Sequence, residues 1–180
     1  MASEVETAQQ RATGASAADP ASVGRGYFET VATRDLDAMT DFYAQGAIGE
    51  IHGLVSLRVP DAYRAWFGAL FAAFPDFEME ILDVIASGEK VAMHWRATAT
   101  FSGTGRFEGL EPNGARVNLR GCDVLTVRDG KIQHNDAYTN AADLARQLGA
   151  LPPQGSLAER ALSGALNLKT RATRALRERR

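Results

Sequence analysis

The sequence predicts an α+β domain in which a curved antiparallel sheet wraps around helices, with one more helix appended at the C-terminus. Three observations carry that prediction. Helical spacing of apolar residues fills 23–43 and 60–74, two successive hairpin patterns fill 77–139, and a separately capped amphipathic run follows Gly155. Helices followed by a run of strands give segregated layers, unlike the βα alternation of a parallel sheet. The predicted strands 79–86, 91–101, 117–127 and 131–139 form one antiparallel sheet, with the helix over 60–74 against its concave face.

Residues 1–22 are rich in Ala, Ser, Thr and Gln and have no hydrophobic block, so they read as a flexible leader and lack the apolar core of a secretion signal. Tyr27, Phe28, Val31, Leu36, Met39, Phe42 and Tyr43 fit two short helices broken near Arg34-Asp35. Residues 47–52 predict a short strand and 53–60 a loop. Pro60-Asp61 opens an amphipathic helix carrying Tyr63, Trp66, Phe67, Leu70, Phe71 and Phe74, and Pro75-Asp76 ends it. A hairpin turning at Gly88-Glu89 follows. On it Leu82, Val84, Val91 and Met93 share the Trp95 face, and Asp83 opposes His94 on the back. Residues 102–115 carry four glycines and Pro112, a loop long enough for a lid or binding role. Its glycines lead into a strand, whereas a phosphate-cradling loop opens a helix.

The richest stretch is 116–138, two β-patterned runs around Asp129-Gly130, a pair that accepts the positive φ of a tight hairpin turn. With Arg128 opposite Lys131, the ladder places Val127 by Ile132, Leu125 by His134, Asp123 by Asp136, Gly121 by Tyr138 and Leu119 by Asn140, all on one face. If that face looks inward, an apolar wall bears two opposed carboxyls, an imidazole and a phenol. Asp136, Asp123, His134 and Tyr138 are then the candidate acid–base groups, able to move protons on a small organic substrate without metal or cofactor. Tyr43, Trp66, Phe67, Trp95, Leu125 and Asn140 are the candidate pocket residues. If the face looks outward, the same residues form a solvated stripe. A one-residue slip would part Asp136 from Asp123.

Residues 141–148 form a short helix stopped by Gly149, 151–155 are a linker, and the core domain spans 23–155. Ser156 and Glu159 make a capping box for a helix over 156–180, with Leu157, Ala161, Ala165, Leu168, Ala172 and Leu176 on one side and a basic end. Net charge is −2, which offers no global attraction to nucleic acid, and no apolar run is long enough to insert in a membrane. The single Cys122 reads as a small strand residue and fits a cytoplasmic location.

Several motifs resemble one family in order. They are Asp35-Leu36-Asp37-Ala38, Phe42-Tyr43-Ala44, Ala72-Ala73-Phe74-Pro75-Asp76-Phe77, and Glu89-Lys90-Val91-Ala92-Met93-His94-Trp95. Gly109-Leu110, Pro112-Asn113-Gly114, Asp129-Gly130-Lys131-Ile132 and Arg146-Gln147-Leu148-Gly149 continue the series. Together they resemble the SnoaL-like polyketide or ester cyclase branch of the nuclear transport factor 2-like superfamily, over about 23–155. The resemblance implies a cone-shaped fold and cofactor-free aldol or isomerase chemistry on a hydrophobic carbonyl compound, with the acid–base residue in the strand after Asp129-Gly130. Asp136 fits that place by geometry. Epoxide opening and non-catalytic binding of a small molecule are the alternatives the same fold hosts. The back face, with Cys122, Val124 and Ala137 among Asn118, Arg120, Thr126, Gln133, Asn135 and Thr139, suits the interface of a twofold homodimer.

Overall fold

The computed structural model describes residues 19–177, so most of the expected leader lies outside the described residues. The chain enters as α1 (Pro20–Thr33), whose N-cap Asp19 accepts from the Ser22 N–H, three residues before the expected domain start. It continues as α2 (Leu36–Asp41), β1 (Tyr43–Ile51), β2 (Val55–Arg58), α3 (Asp61–Ala73), β3 (Glu78–Ser87), β4 (Lys90–Thr100), β5 (Arg116–Arg128), β6 (Lys131–Thr139), α4 (Ala141–Gln147) and α5 (Leu157–Arg177). Arg34, at φ 60°, makes the break between the first two helices.

The six strands form one sheet in the order β2-β1-β6-β5-β4-β3. The four long strands pair antiparallel as predicted, but β1 runs parallel to β6, so the sheet is mixed. Strand β2 occupies the stretch expected as a loop. Its four residues return beside β1 directly after the turn at Gly53, too short to register as a separate pattern.

Inward residues of β4 and β5, among them Val91, Met93, Trp95, Leu119, Leu125 and Val127, are buried and form the wall of the core. Helix α1 lies across β3, β4 and β5, the position expected of the helix over 60–74. Gly24 permits this approach, since a Cβ there would stand 3.0 Å from the Met93 sulfur. Helix α3 instead packs on α2 and β2, and its Tyr63 ring lies 5.1 Å from Tyr43.

Two bulges correct the predicted registers. Ile81 pairs with Trp95 and Asp83 with His94, so Leu82 bulges out of the ladder and is 38% exposed instead of sharing the Trp95 face. In the second hairpin, Asp129 and Gly130 both take positive φ as predicted, and Val127 pairs with Ile132. Thr126 then pairs with His134, leaving Gln133 as an extra residue. Beyond it the register is shifted by one: Asp123 faces Ala137 and Val124 faces Asp136. Asn135, Ala137 and Thr139, expected on the back, turn inward, while His134, Asp136 and Tyr138 turn to the outer face.

The loop after β4 folds onto the end of α3. Gly103 N–H donates to the Ala73 carbonyl, and a Cβ on Gly103 would overlap the Ala72 carbonyl oxygen. Phe107 is buried against Trp66 and Phe74, and the Trp66 indole donates to Glu108 at 3.0 Å.

Candidate active site

Asp123 projects from the middle of β5 into the core and is 6% exposed. Two donors hold it: the Trp95 indole N–H at 2.8 Å on Oδ1 and the Asn135 amide at 2.7 Å on Oδ2. Gly121 makes the first bond possible. It lies opposite Trp95 in the ladder, and a Cβ there would stand 2.2 Å from the indole ring. Burial pushes the Asp123 carboxyl up to about 6, against the opposing pull of the Asn135 and Trp95 hydrogen bonds. It therefore changes charge near neutrality.

Beside this carboxyl, three buried phenols meet. The Tyr27 and Tyr63 hydroxyls share a short hydrogen bond, and the Tyr43 hydroxyl accepts from the Asn135 amide at 3.3 Å. Burial raises Tyr43 to about 12 and holds Tyr27 and Tyr63 well above the usual phenol value, so all three keep their protons at neutral pH. The Asn135 amide spends its N–H groups on Asp123 and Tyr43, and its buried carbonyl oxygen has no donor.

Asp123, Asn135, Tyr27 and Tyr63 sit at the wall of a cavity of about 970 Å³, its open mouth included, and Tyr43, expected in the pocket, does not line it. Phe28 and Val31 of α1, Trp66, Phe67 and Leu70 of α3, and Phe77, Met79, Leu119 and Phe107 supply an apolar lining. Its ionisable groups are Tyr27, Tyr63, Glu50 and Asp123; no lysine, arginine or histidine joins them among the described residues. The same residues show no cluster of three or more His, Cys, Asp and Glu side chains arranged to hold a metal ion.

The structure does not bring the two predicted aspartates together. Asp136, on the outer face, receives His52 Nε2 at 3.0 Å and His134 Nε2 at 3.2 Å on one carboxylate oxygen. Burial pushes the Asp136 carboxyl up, but the hydrogen bonds and charges of the two histidines outweigh it and hold it below the ordinary range. Tyr138 stacks on His52 at 4.3 Å and is 49% exposed. Asn140, expected in the pocket, instead caps α4 by accepting from the Asp143 N–H. Leu125 is buried beneath Gly24 and does not line the cavity, and Tyr43 joins the phenol group. Trp66, Phe67 and Trp95 line the cavity. Asn135, Tyr27 and Tyr63 were not among the predicted site residues. Their signal is two tyrosines at inward helix positions and an asparagine alternating with Ala137 and Thr139.

A curved sheet closed by helices over an apolar cavity, with a buried carboxyl at its wall, defines the nuclear transport factor 2-like class, shared with ketosteroid isomerase-like folds. The SnoaL-like polyketide cyclase family model matches residues 21–148, and the chain belongs to that family. Among solved structures, AclR from Streptomyces galilaeus, described as a candidate hydroxylase, is 22% identical with a TM-score of 0.64, covering 89% of this chain and 98% of its own. IdmH from Streptomyces antibioticus, a candidate polyketide cyclase, is 22% identical with a TM-score of 0.62, covering 73% and 99%. The epoxide hydrolase/cyclase-like enzyme SalBIII, described in pyran ring formation in polyether salinomycin, is 25% identical with a TM-score of 0.57, covering 69% and 92%. No curated protein sequence matches the chain. No described helix is long and apolar enough to cross a membrane.

Proposed function

We propose that the protein cyclises or isomerises a hydrophobic carbonyl compound through an enolate, with Asp123 as the general base. The observation that carries this reading is a carboxyl held by Trp95 and Asn135 at the wall of an apolar cavity and raised to about 6 by burial. At neutral pH it is ionised yet basic enough to remove an acidic α-proton, the compromise that general-base catalysis favours. Three phenols that bond chiefly to one another and to one amide leave an O–H to donate to the developing enolate oxygen, a charge best stabilised in a dry site. In an aldol closure the enolate carbon attacks a second carbonyl, a C–C bond forms, and the new alkoxide takes back the proton that Asp123 removed. The base role that the predicted register gave to Asp136 passes to Asp123, because Asp136 lies on the outer face.

In a racemic or ring-opened aromatic diketone assay, Asp123→Asn loses turnover about a hundredfold or more with unchanged circular dichroism, the scale of a lost general base. Asp136→Asn keeps turnover within a few-fold. The reverse ranking refutes the assignment.

A second reading, epoxide opening, draws on the likeness to SalBIII. It needs an acid opposite the base, a part a phenol of the trio would take. Arg96 and Arg120 do not serve it, since they lie opposite each other in the ladder on the outer face, where Arg96 pairs with Glu80. Labelled oxygen from water entering the product supports hydrolysis, and ring closure without it supports cyclisation.

A further inference from the structure

Helix α5 is 21 residues long, about 31 Å at the usual rise, and every side chain from Arg160 to Arg174 is exposed. It is tied to the domain at its first turn, where the Glu159 N–H donates to Ser156 Oγ and the Glu159 carboxylate accepts from Arg146 and the Gly155 N–H. Beyond that turn its apolar side faces outward. Leu157 is 81% exposed and Leu168 69%, values that an isolated helix in water gains nothing by. Ala158, Ala161, Ala165, Leu168 and Ala172 recur at alternating spacings of three and four, the seam of a two-helix coil, with Leu162 flanking it. Gly164, inside the helix, has nothing within 4 Å of where its Cβ would stand. A mid-helix glycine costs about 1 kcal/mol relative to alanine, and no contact in this chain uses the space it leaves.

We propose that α5 pairs antiparallel with α5 of a second copy of this chain, joining two domains about a twofold axis between Leu166 and Asn167. Two features choose this occupant. First, the seam complements itself on reversal: Ala165 meets the partner's Leu168, a large residue on a small one, and Ala161 meets the partner's Ala172, two small ones, so the helix axes can approach closely. Second, charge is one-sided along the helix. Lys169, Arg171, Arg174 and Arg177 fill the second half, whereas the first turn carries Arg160 beside Glu159, whose carboxylate is already held by Arg146. A parallel pair stacks the two basic halves, whereas the antiparallel pair carries them to opposite ends and sets each beside the partner's first turn. An anionic membrane would also attract the basic half, but the helix carries no aromatic residue to seat at a lipid interface.

The test uses the full chain. Sedimentation from about one to a hundred micromolar, a range in which weak helix pairs dissociate, is expected to show a monomer–dimer equilibrium. Ala165→Glu, at a position exposed in its own chain, is expected to keep the circular dichroism of the parent and to sediment as a monomer. In a Cys122→Ser background, neither Ala161→Cys nor Ala172→Cys is expected to cross-link alone, while an equimolar mixture does. A monomer throughout the range, including one that floats with phosphatidylserine vesicles, overturns the proposal, as does a dimer that survives Ala165→Glu. Self-cross-linking of either single-cysteine variant, or failure of the mixture to cross-link, overturns the antiparallel register.

Discussion

At the scale of the residue, Asp123 couples the proposed reaction to folding. Its carboxyl has an ordinary value of ~3.9 in an unfolded chain and about 6 in the folded one. Between those values the folded chain holds more protons than the unfolded chain. The contribution to stability is therefore full below ~4 and is lost as pH rises through about 6, a swing of roughly 3 kcal/mol at most. Urea titrations at pH 4 and 7 are expected to show that swing as a difference between the parent and Asp123→Asn, which has nothing to ionise there. Asn135 serves both protonation states. One amide N–H bonds the carboxylate, and its buried, undonated carbonyl, on rotation of the amide, is placed to accept the O–H of the protonated acid. Because the Asn135 bond lowers the Asp123 value, Asn135→Leu is expected to move the acid limb of the kcat/KM profile to higher pH. A limb that stays in place would detach Asn135 from the base.

At the scale of the element, one extra residue decides which chemistry faces the cavity. Gln133 shifts the register of β6, exchanging His134, Asp136 and Tyr138 for Asn135, Ala137 and Thr139 on the inner face. The turn that precedes it was legible, because Asp129-Gly130 is among the few pairs that accept positive φ twice. The bulge was not, since no residue type marks it and the ladder on either side alternates equally well in both registers. The two helices before β1, the first hairpin and α3 were legible from helical and alternating spacing. Strand β2 is too short to register as a pattern of its own, and the crossing of α1 over the sheet depends on contacts distant in sequence. The Trp95–Gly121 pair shows how closely the elements are fitted. Gly121→Ala places a methyl inside the indole's space and is expected to cost about 2 kcal/mol and lower Tm by about 5 °C, read by calorimetry. An unchanged Tm would mean that β4 and β5 yield more readily than their packing implies.

At the scale of the whole molecule, charge is distributed so that the cavity wall holds carboxyls and phenols without a cation. A neutral hydrophobic ketone is expected to bind at least about tenfold better at pH 8 than an isosteric carboxylate, which meets an ionised Asp123 with no positive partner. The preference should narrow below pH 6, where Asp123 is protonated, and calorimetric titration of the two compounds checks it. The chain's two tryptophans add a practical consequence. Each indole N–H rests on a different carboxylate, Trp95 on Asp123 at the cavity wall and Trp66 on Glu108 of the loop that folds over α3. A charge appearing on Asp123 alters the field across the Trp95 ring, and movement of the loop frees Trp66 to water. The protein thus carries two intrinsic fluorophores, one indicating the protonation of Asp123 and the other the position of its loop. Trp66→Phe and Trp95→Phe would separate their emission without any attached dye.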